Sequence, residues 1–223
     1  MMLQIHPLIA PEPLAVMRKA LSGADFVDGR LSAGSAAARV KANQELDPGT
    51  ETARNLARIL MGHLYASAEF RNAALPLRAA TPIFARYAPG MTYGDHIDDP
   101  VMGQEHKFRC DVAVTVFLND PEEYEGGELM VRTTFGEQRV KLPAGDAVVY
   151  PASSLHRVEP VGHGERLVAV TWIQSMVRDP ARRELLYELA QAREHMLQTA
   201  PEAEATRQVD HSYTNLVRMW AEV

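Results

Sequence analysis

The sequence predicts an α+β fold, in which a jelly-roll core of antiparallel strands is flanked by helices before it and by a small helical piece after it. Three observations carry this expectation. From Ala80 onward, short runs rich in β-branched and aromatic residues alternate with glycine and proline turns: IFARY, DVAVTVFLN, ELMVRTT, QRVKL, DAVVY and RLVAVTWI. The gaps between these runs are too short for crossover helices, which excludes a parallel sheet and leaves an antiparallel sandwich or jelly roll. On both sides of this stretch the apolar residues recur at helical spacing instead.

Taken in order, Pro11 and Pro13 open a helix whose apolar residues are Leu14, Val16, Met17 and Leu21. A strand pair is expected around Phe26 to Val40. Asp47-Pro48 offers a cap and first-turn proline for a second helix, which carries Leu56, Ile59, Leu60 and Leu64 and runs to about Ala68. After the strands, Asp179-Pro180 starts a helix with Leu185, Leu186, Leu189, Met196 and Leu197 on one apolar face. PEAEAT at 201–206 reads as a linker to a last short helix through Tyr213, Leu216, Val217 and Trp220. The two C-terminal helices are expected to pair against the core, as a satellite or as a homo-oligomer contact. The expected division is 1–79 for the N-terminal support, 80–176 for the jelly-roll core and 177–223 for the helical subdomain.

Composition narrows the function classes. With 46% hydrophobic and 23% charged residues in 223, the chain has the make-up of a soluble globular protein. A formal charge of −6 argues against nucleic acid as a partner, since phosphate binding needs a basic face. The single Cys110 excludes an internal disulfide and a thiolate metal cage, and fits a reducing, cytoplasmic setting. The opening MMLQIHPLIAPEPL has neither the basic start nor the long apolar run of a secretory leader, and no segment approaches the ~20 apolar residues of a membrane span.

The candidate chemistry lies in four residues. His96 and Asp98 form an H-x-D pair after an apolar strand, and residues i and i+2 of an extended chain point to one side. His156 follows the strand DAVVYPASSL, where a jelly roll can set a third ligand facing the first two. Two histidines and one carboxylate on one face of a metal leave positions open, the arrangement non-haem Fe(II) uses for oxygen activation. Arg166 stands ten residues further on, read as the returning strand of a hairpin with the turn PVGHGE, and its planar fork suits a carboxylate. Taken singly, each has a plain structural reading: a polar surface pair, a turn histidine, a strand-edge arginine. The other histidines, His6, His63, His106, His163, His195 and His211, read as loop or surface residues.

RYAPGMTYGDHIDD, EGGELMV, DAVVYPASSLHRVEPV and GERLVAVTWIQS together resemble the prolyl-4-hydroxylase-like branch of the Fe(II)/2-oxoglutarate dioxygenases, and most nearly the bacterial PKHD-type hydroxylases. The resemblance covers essentially the whole chain. It implies a double-stranded β-helix that binds Fe(2+), 2-oxoglutarate and O2, with ascorbate as supporting reductant. It makes His96, Asp98 and His156 the catalytic iron ligands, Arg166 the 2-oxoglutarate anchor and Tyr87 a co-substrate contact. Tyr93 and Trp172 would wall the pocket, and Gly126 and Gly127 would let something approach the backbone closely; Asp99 reads as a solvated loop acid, with a place behind the ligands or at the substrate rim as the alternative. The implied reaction couples decarboxylation of 2-oxoglutarate to hydroxylation of an unidentified small-molecule or protein substrate, with relatives associated with bacterial iron uptake. Two alternatives stay open: a cupin-like metal enzyme without 2-oxoglutarate, and a non-catalytic iron or 2-oxoglutarate sensor. The Arg166 and Tyr87 pair separates the first of these from the main reading.

Overall fold

The computed structural model describes residues 1–103 and 105–223. From Ile83 the chain winds back and forth between two antiparallel sheets. The larger sheet has the core order Ala147–Pro151, Val112–Phe117, Arg166–Ser175, Ile83–Tyr87, and the smaller one Gly136–Val140, Leu129–Thr133, His156–Val158, Thr92–His96. This is the double-stranded β-helix that the strand runs anticipate.

Side-chain alternation sorts each central strand between two environments. In Val112–Phe117, Val112, Val114 and Val116 pack outward on Leu14, Met17, Leu56, Leu60, Leu64 and Phe70 of the N-terminal helices. Ala113 and Phe117 face inward with Leu129, Val131 and Val158 of the smaller sheet. The larger sheet is therefore covered on both faces, which explains why its strands read as nearly continuous apolar runs.

The N-terminal segment differs in detail from the sequence reading. The strand pair is Phe26–Asp28 with Gln44–Leu46, separated by two short 3-10 turns, so it extends past Val40. Lys41–Ala42 joins the smaller sheet beside Thr92–His96, while Gln44–Leu46 joins the larger one beside Ile83–Tyr87. The stretch 41–46 thus crosses from one sheet to the other.

The second helix is Glu51–Ala66, and its cap is Thr50, whose hydroxyl accepts from the Ala53 N–H; Asp47 instead accepts from Gly49 in the preceding turn. It stops short of Ala68 because the Ser67 hydroxyl caps a further helix, Ala68–Ala74. Asp179 does cap Pro180–Thr199 as expected, through Ala181 and Arg182. The face it buries is Arg183, Leu186, Tyr187 and Ala190, whereas Leu185 points to solvent at 58% exposure. The last helix, Glu204–Trp220, begins inside the expected linker, since Thr206 turns inward and its hydroxyl bonds the Ala200 carbonyl. Among the described residues no helix is long and apolar enough to cross a membrane.

The two C-terminal helices close over a small apolar cluster of Leu75, Val177 and Leu186, with Tyr213, Leu216, Val217 and Trp220 packed against it. Leu186 is 1% exposed. Leu186→Ala should cost about 2–5 kcal/mol in urea unfolding, the range for an aliphatic truncation in a packed core; a loss under roughly 1 kcal/mol would mean that this cluster is loosely held.

Candidate metal centre

The smaller sheet sets the site. His156 is the direct cross-strand partner of His96 in the pairing of His156–Val158 with Thr92–His96. The two imidazoles are therefore neighbours on one wall, with ring centroids 4.2 Å apart. This corrects the expectation that His156 faces the pair from across the jelly roll. Asp98 lies just past the strand end, its Oδ1 3.7 Å from His156 Nε2. One donor atom from each of the three lies within 4.8 Å of the others.

Both imidazoles are oriented from behind. His96 Nδ1–H donates to the Gly94 carbonyl at 2.8 Å and His156 Nδ1–H to the Ser154 carbonyl at 2.9 Å. A carbonyl can only accept, so each Nδ1 carries a proton, and Nε2 is left as the nitrogen through which each ring could bind a metal. A bulge supports this arrangement. Between His156 and Val158 one strand advances two residues while Thr92–His96 advances three, so Tyr93 and His96 come to the same side.

Burial and charge agree with a ligand set. His96 is 9% exposed, and burial together with the neighbouring His156 lowers its pKa to about 4. Burial raises the Asp98 pKa against the opposing pull of His156. Asp98 Oδ2 has no hydrogen-bond partner among the described residues, and the nearby indole N–H of Trp172 is likewise unpaired. Two imidazole nitrogens and a carboxylate oxygen form a donor set that suits Fe(II).

Arg166 stands on the other sheet. His156 and Arg166 do not share a hairpin, because Val161–Gly164 pairs with Tyr124–Gly126 and carries the chain from the smaller sheet to the larger. Arg166 is 1% exposed, with its guanidinium over the rings of Tyr87 and Phe117 at 4.9 and 5.7 Å. Its Nε and Nη1 have no partner among the described residues, and neither has the buried hydroxyl of Tyr124 beside it. A buried guanidinium normally meets a carboxylate. Here the cavity supplies the space for one.

The cavity holds His96, Asp98 and His156 together with Arg166, Tyr87, Tyr93 and Trp172. Asp99 lies at its mouth, near enough to Gly34 that a side chain there would meet its carboxylate. At Gly127 (φ +65°) a Cβ would stand 3.0 Å from Arg166 Cδ, and at Gly126 (φ +69°) 2.1 Å from the Pro160 carbonyl oxygen. What approaches this glycine pair is the chain itself, including the stem of Arg166. The sequence reading missed Lys41, Asn43 and Glu45, which line the cavity from the crossing segment, and Tyr124. The period-two spacing of the polar residues Lys41, Asn43 and Glu45 was the available signal.

Fold and constellation define a class: jelly-roll oxygenases that depend on a single non-haem iron and 2-oxoglutarate. Residues 82–174 match the model of the 2OG-Fe(II) oxygenase superfamily, and residues 180–222 that of the PKHD-type hydroxylase C-terminal domain. Over the full length of both chains, the protein is 55% identical to a PKHD-type hydroxylase of Thioalkalivibrio sulfidiphilus and 44% identical to one of Stenotrophomonas maltophilia. The chain belongs to the PKHD-type hydroxylase family. Among solved structures, a Pseudomonas putida prolyl-4-hydroxylase superposes with a TM-score of 0.54 at 22% identity, covering 78% of this chain and 92% of that one. HygX of Streptomyces hygroscopicus, with nickel, 2-oxoglutarate and hygromycin B bound, gives 0.55 at 15% identity, covering 79% and 84%. At such identities these two speak for the fold alone.

Because His96 is held neutral by burial, the metal-free protein should lose stability as pH falls. The contribution is complete above the unfolded pKa near 6.5 and drains away as the pH approaches about 4. Over that window it amounts to about 3 kcal/mol at most. Asp98, with its raised pKa, works in the opposite direction, so the comparison is between wild type and His96→Asn. Urea unfolding at pH 7 and pH 4.5 should show a larger acid loss in wild type than in the variant; equal losses would mean that His96 is not held neutral by the fold.

Proposed function

We propose that the protein is an Fe(II)- and 2-oxoglutarate-dependent hydroxylase in which His96, Asp98 and His156 hold the iron and Arg166, beside Tyr87 and Tyr124, binds the distal carboxylate of 2-oxoglutarate. The observation that supports this most is Arg166: a buried guanidinium with two nitrogens that have no partner among the described residues, in the same cavity as a His-Asp-His cluster. A cupin-like enzyme without 2-oxoglutarate has no use for that cation.

When bound, iron and 2-oxoglutarate supply the oxidation, in which O2 converts the 2-oxo acid to succinate and CO2 and delivers one oxygen atom to a substrate C–H bond. The protein's part is positional. His96 and His156 aim their Nε2 lone pairs because their Nδ1 protons are tied to backbone carbonyls. Arg166 fixes the far end of the co-substrate with a planar fork, and Tyr87 and Phe117 wall it from water. Ascorbate is the reductant that would restore Fe(II) after a turnover without substrate. The hydroxylated substrate we place in bacterial iron uptake and the reaction in the cytoplasm, the first on the family resemblance and the second on the unpaired Cys110.

Single replacements His96→Ala, Asp98→Ala and His156→Ala should each abolish Fe(II) binding in anaerobic titration, since three protein ligands leave no redundancy. Arg166→Ala should leave iron affinity nearly intact and weaken 2-oxoglutarate by about ten- to a hundred-fold or more, the worth of a charge-assisted hydrogen bond. Arg166→Lys should fall between, keeping the charge without the fork. The readout is the absorption band that 2-oxoglutarate produces with Fe(II). An Arg166→Ala protein that binds 2-oxoglutarate like wild type would return the case to the cupin-like alternative, and a wild type that releases no succinate would favour a sensor. Mass spectrometry for a product 16 Da heavier, in matched extracts with active and His96→Ala protein, identifies the substrate.

A further inference from the structure

The bulge in Thr92–His96 brings Tyr93 and His96 into a parallel stack, with centroids 3.6 Å apart and planes 10° apart. The Nδ1 hydrogen bond to Gly94 sets the tautomer of His96 and one direction in the ring plane. It does not stop the ring from rocking about that bond, whereas a parallel aromatic face does.

Tyr93 is itself held. Lys41 is its direct cross-strand partner, and the Lys41 ammonium lies 5.2 Å from the Tyr93 ring centroid. That ammonium is bound to the Glu45 carboxylate at 2.5 Å and to the Ser32 hydroxyl at 2.9 Å. Lys41 and Glu45 are 8% and 6% exposed. Their strands belong to different sheets, so the pair spans the cavity wall from the smaller sheet to the larger. A buried ion pair is a poor source of stability, because desolvation offsets the attraction. Its presence in this wall calls for a positional role.

We propose that Tyr93 is a positioning residue for the iron ligand His96, and that the buried Lys41–Glu45 pair holds Tyr93 in the stack. The inference rests on the iron and 2-oxoglutarate reading above. Three measurements on the full chain test it: anaerobic Fe(II) affinity, the absorption band formed on adding 2-oxoglutarate, and the Tm of the metal-free protein.

Tyr93→Leu should weaken Fe(II) binding about 10- to 100-fold, the usual effect of removing a group that orients a ligand, and should shift the band. Tyr93→Phe, which keeps the stacking ring, should restore both. Lys41→Met should weaken Fe(II) binding in the same direction, and the double variant should be no worse than Tyr93→Leu alone, because Lys41 acts through Tyr93. Wild-type affinity and band in Tyr93→Leu would overturn the proposal, as would losses in Lys41→Met and Tyr93→Leu that simply add. Should Tyr93→Leu fail to fold, Glu45→Gln takes its place: weaker Fe(II) binding with an unchanged apoprotein Tm supports the clamp, and unchanged affinity refutes it. A wild type that forms no band with Fe(II) and 2-oxoglutarate removes the underlying reading; a wild type that forms it, with variants that match, removes only this inference.

Discussion

The pairing of His96 with His156 on adjacent strands of the smaller sheet is the constraint on which the site depends. Directly opposed residues of an antiparallel ladder have Cα atoms roughly 5 Å apart, so the two imidazoles start on one wall before any side-chain choice is made. A slip of one residue would send His156 to the other face of the sheet. The bulge, the two Nδ1 bonds to backbone carbonyls and the position of Asp98 beyond the strand end all refine a geometry that register has already imposed.

The larger sheet contributes the opposite charge. Its central strand Arg166–Ser175 carries Arg166 into the interior, where Tyr87, its partner across the ladder, and Phe117 surround the guanidinium. A wall of side chains able to hold a metal thus faces a wall with a buried guanidinium. That division suits a co-substrate with an oxo acid at one end and a carboxylate at the other. Exclusion of water strengthens every interaction between such groups, and several polar atoms of this cavity, among them Asp98 Oδ2 and Arg166 Nε and Nη1, have no partner among the described residues.

The N-terminal segment does more than support the core from outside. Leu46 belongs to the apolar cluster under the helices, while Lys41, Asn43 and Glu45 turn into the cavity. A single extended stretch therefore serves as core on one side and as wall on the other. At the opposite end of the chain, the paired helices have a small cluster of their own around Leu75, Val177 and Leu186, and they line none of this cavity.

The strands and most helices were legible in the sequence because period-two and period-3.6 patterns follow directly from which faces are buried. IFARY, DVAVTVFLN and RLVAVTWI could be read as strands without a structure, and Asp179-Pro180 as a helix start. The set His96, Asp98, His156 and Arg166 was legible as residue types able to hold a metal and a dicarboxylate. Local chemistry misled where two signals competed: Asp47-Pro48 looks like a cap, but Thr50 makes the bond, and Ser67 restarts a helix that the apolar spacing continues. Only the tertiary structure decided that the two histidines are neighbours in one sheet, that His156 and Arg166 lie in different sheets, that a bulge stacks Tyr93 on His96, and that Lys41 and Glu45 are buried together. Register, bulges and the pairing of distant strands are set by contacts between residues far apart in the chain, and no local pattern records them.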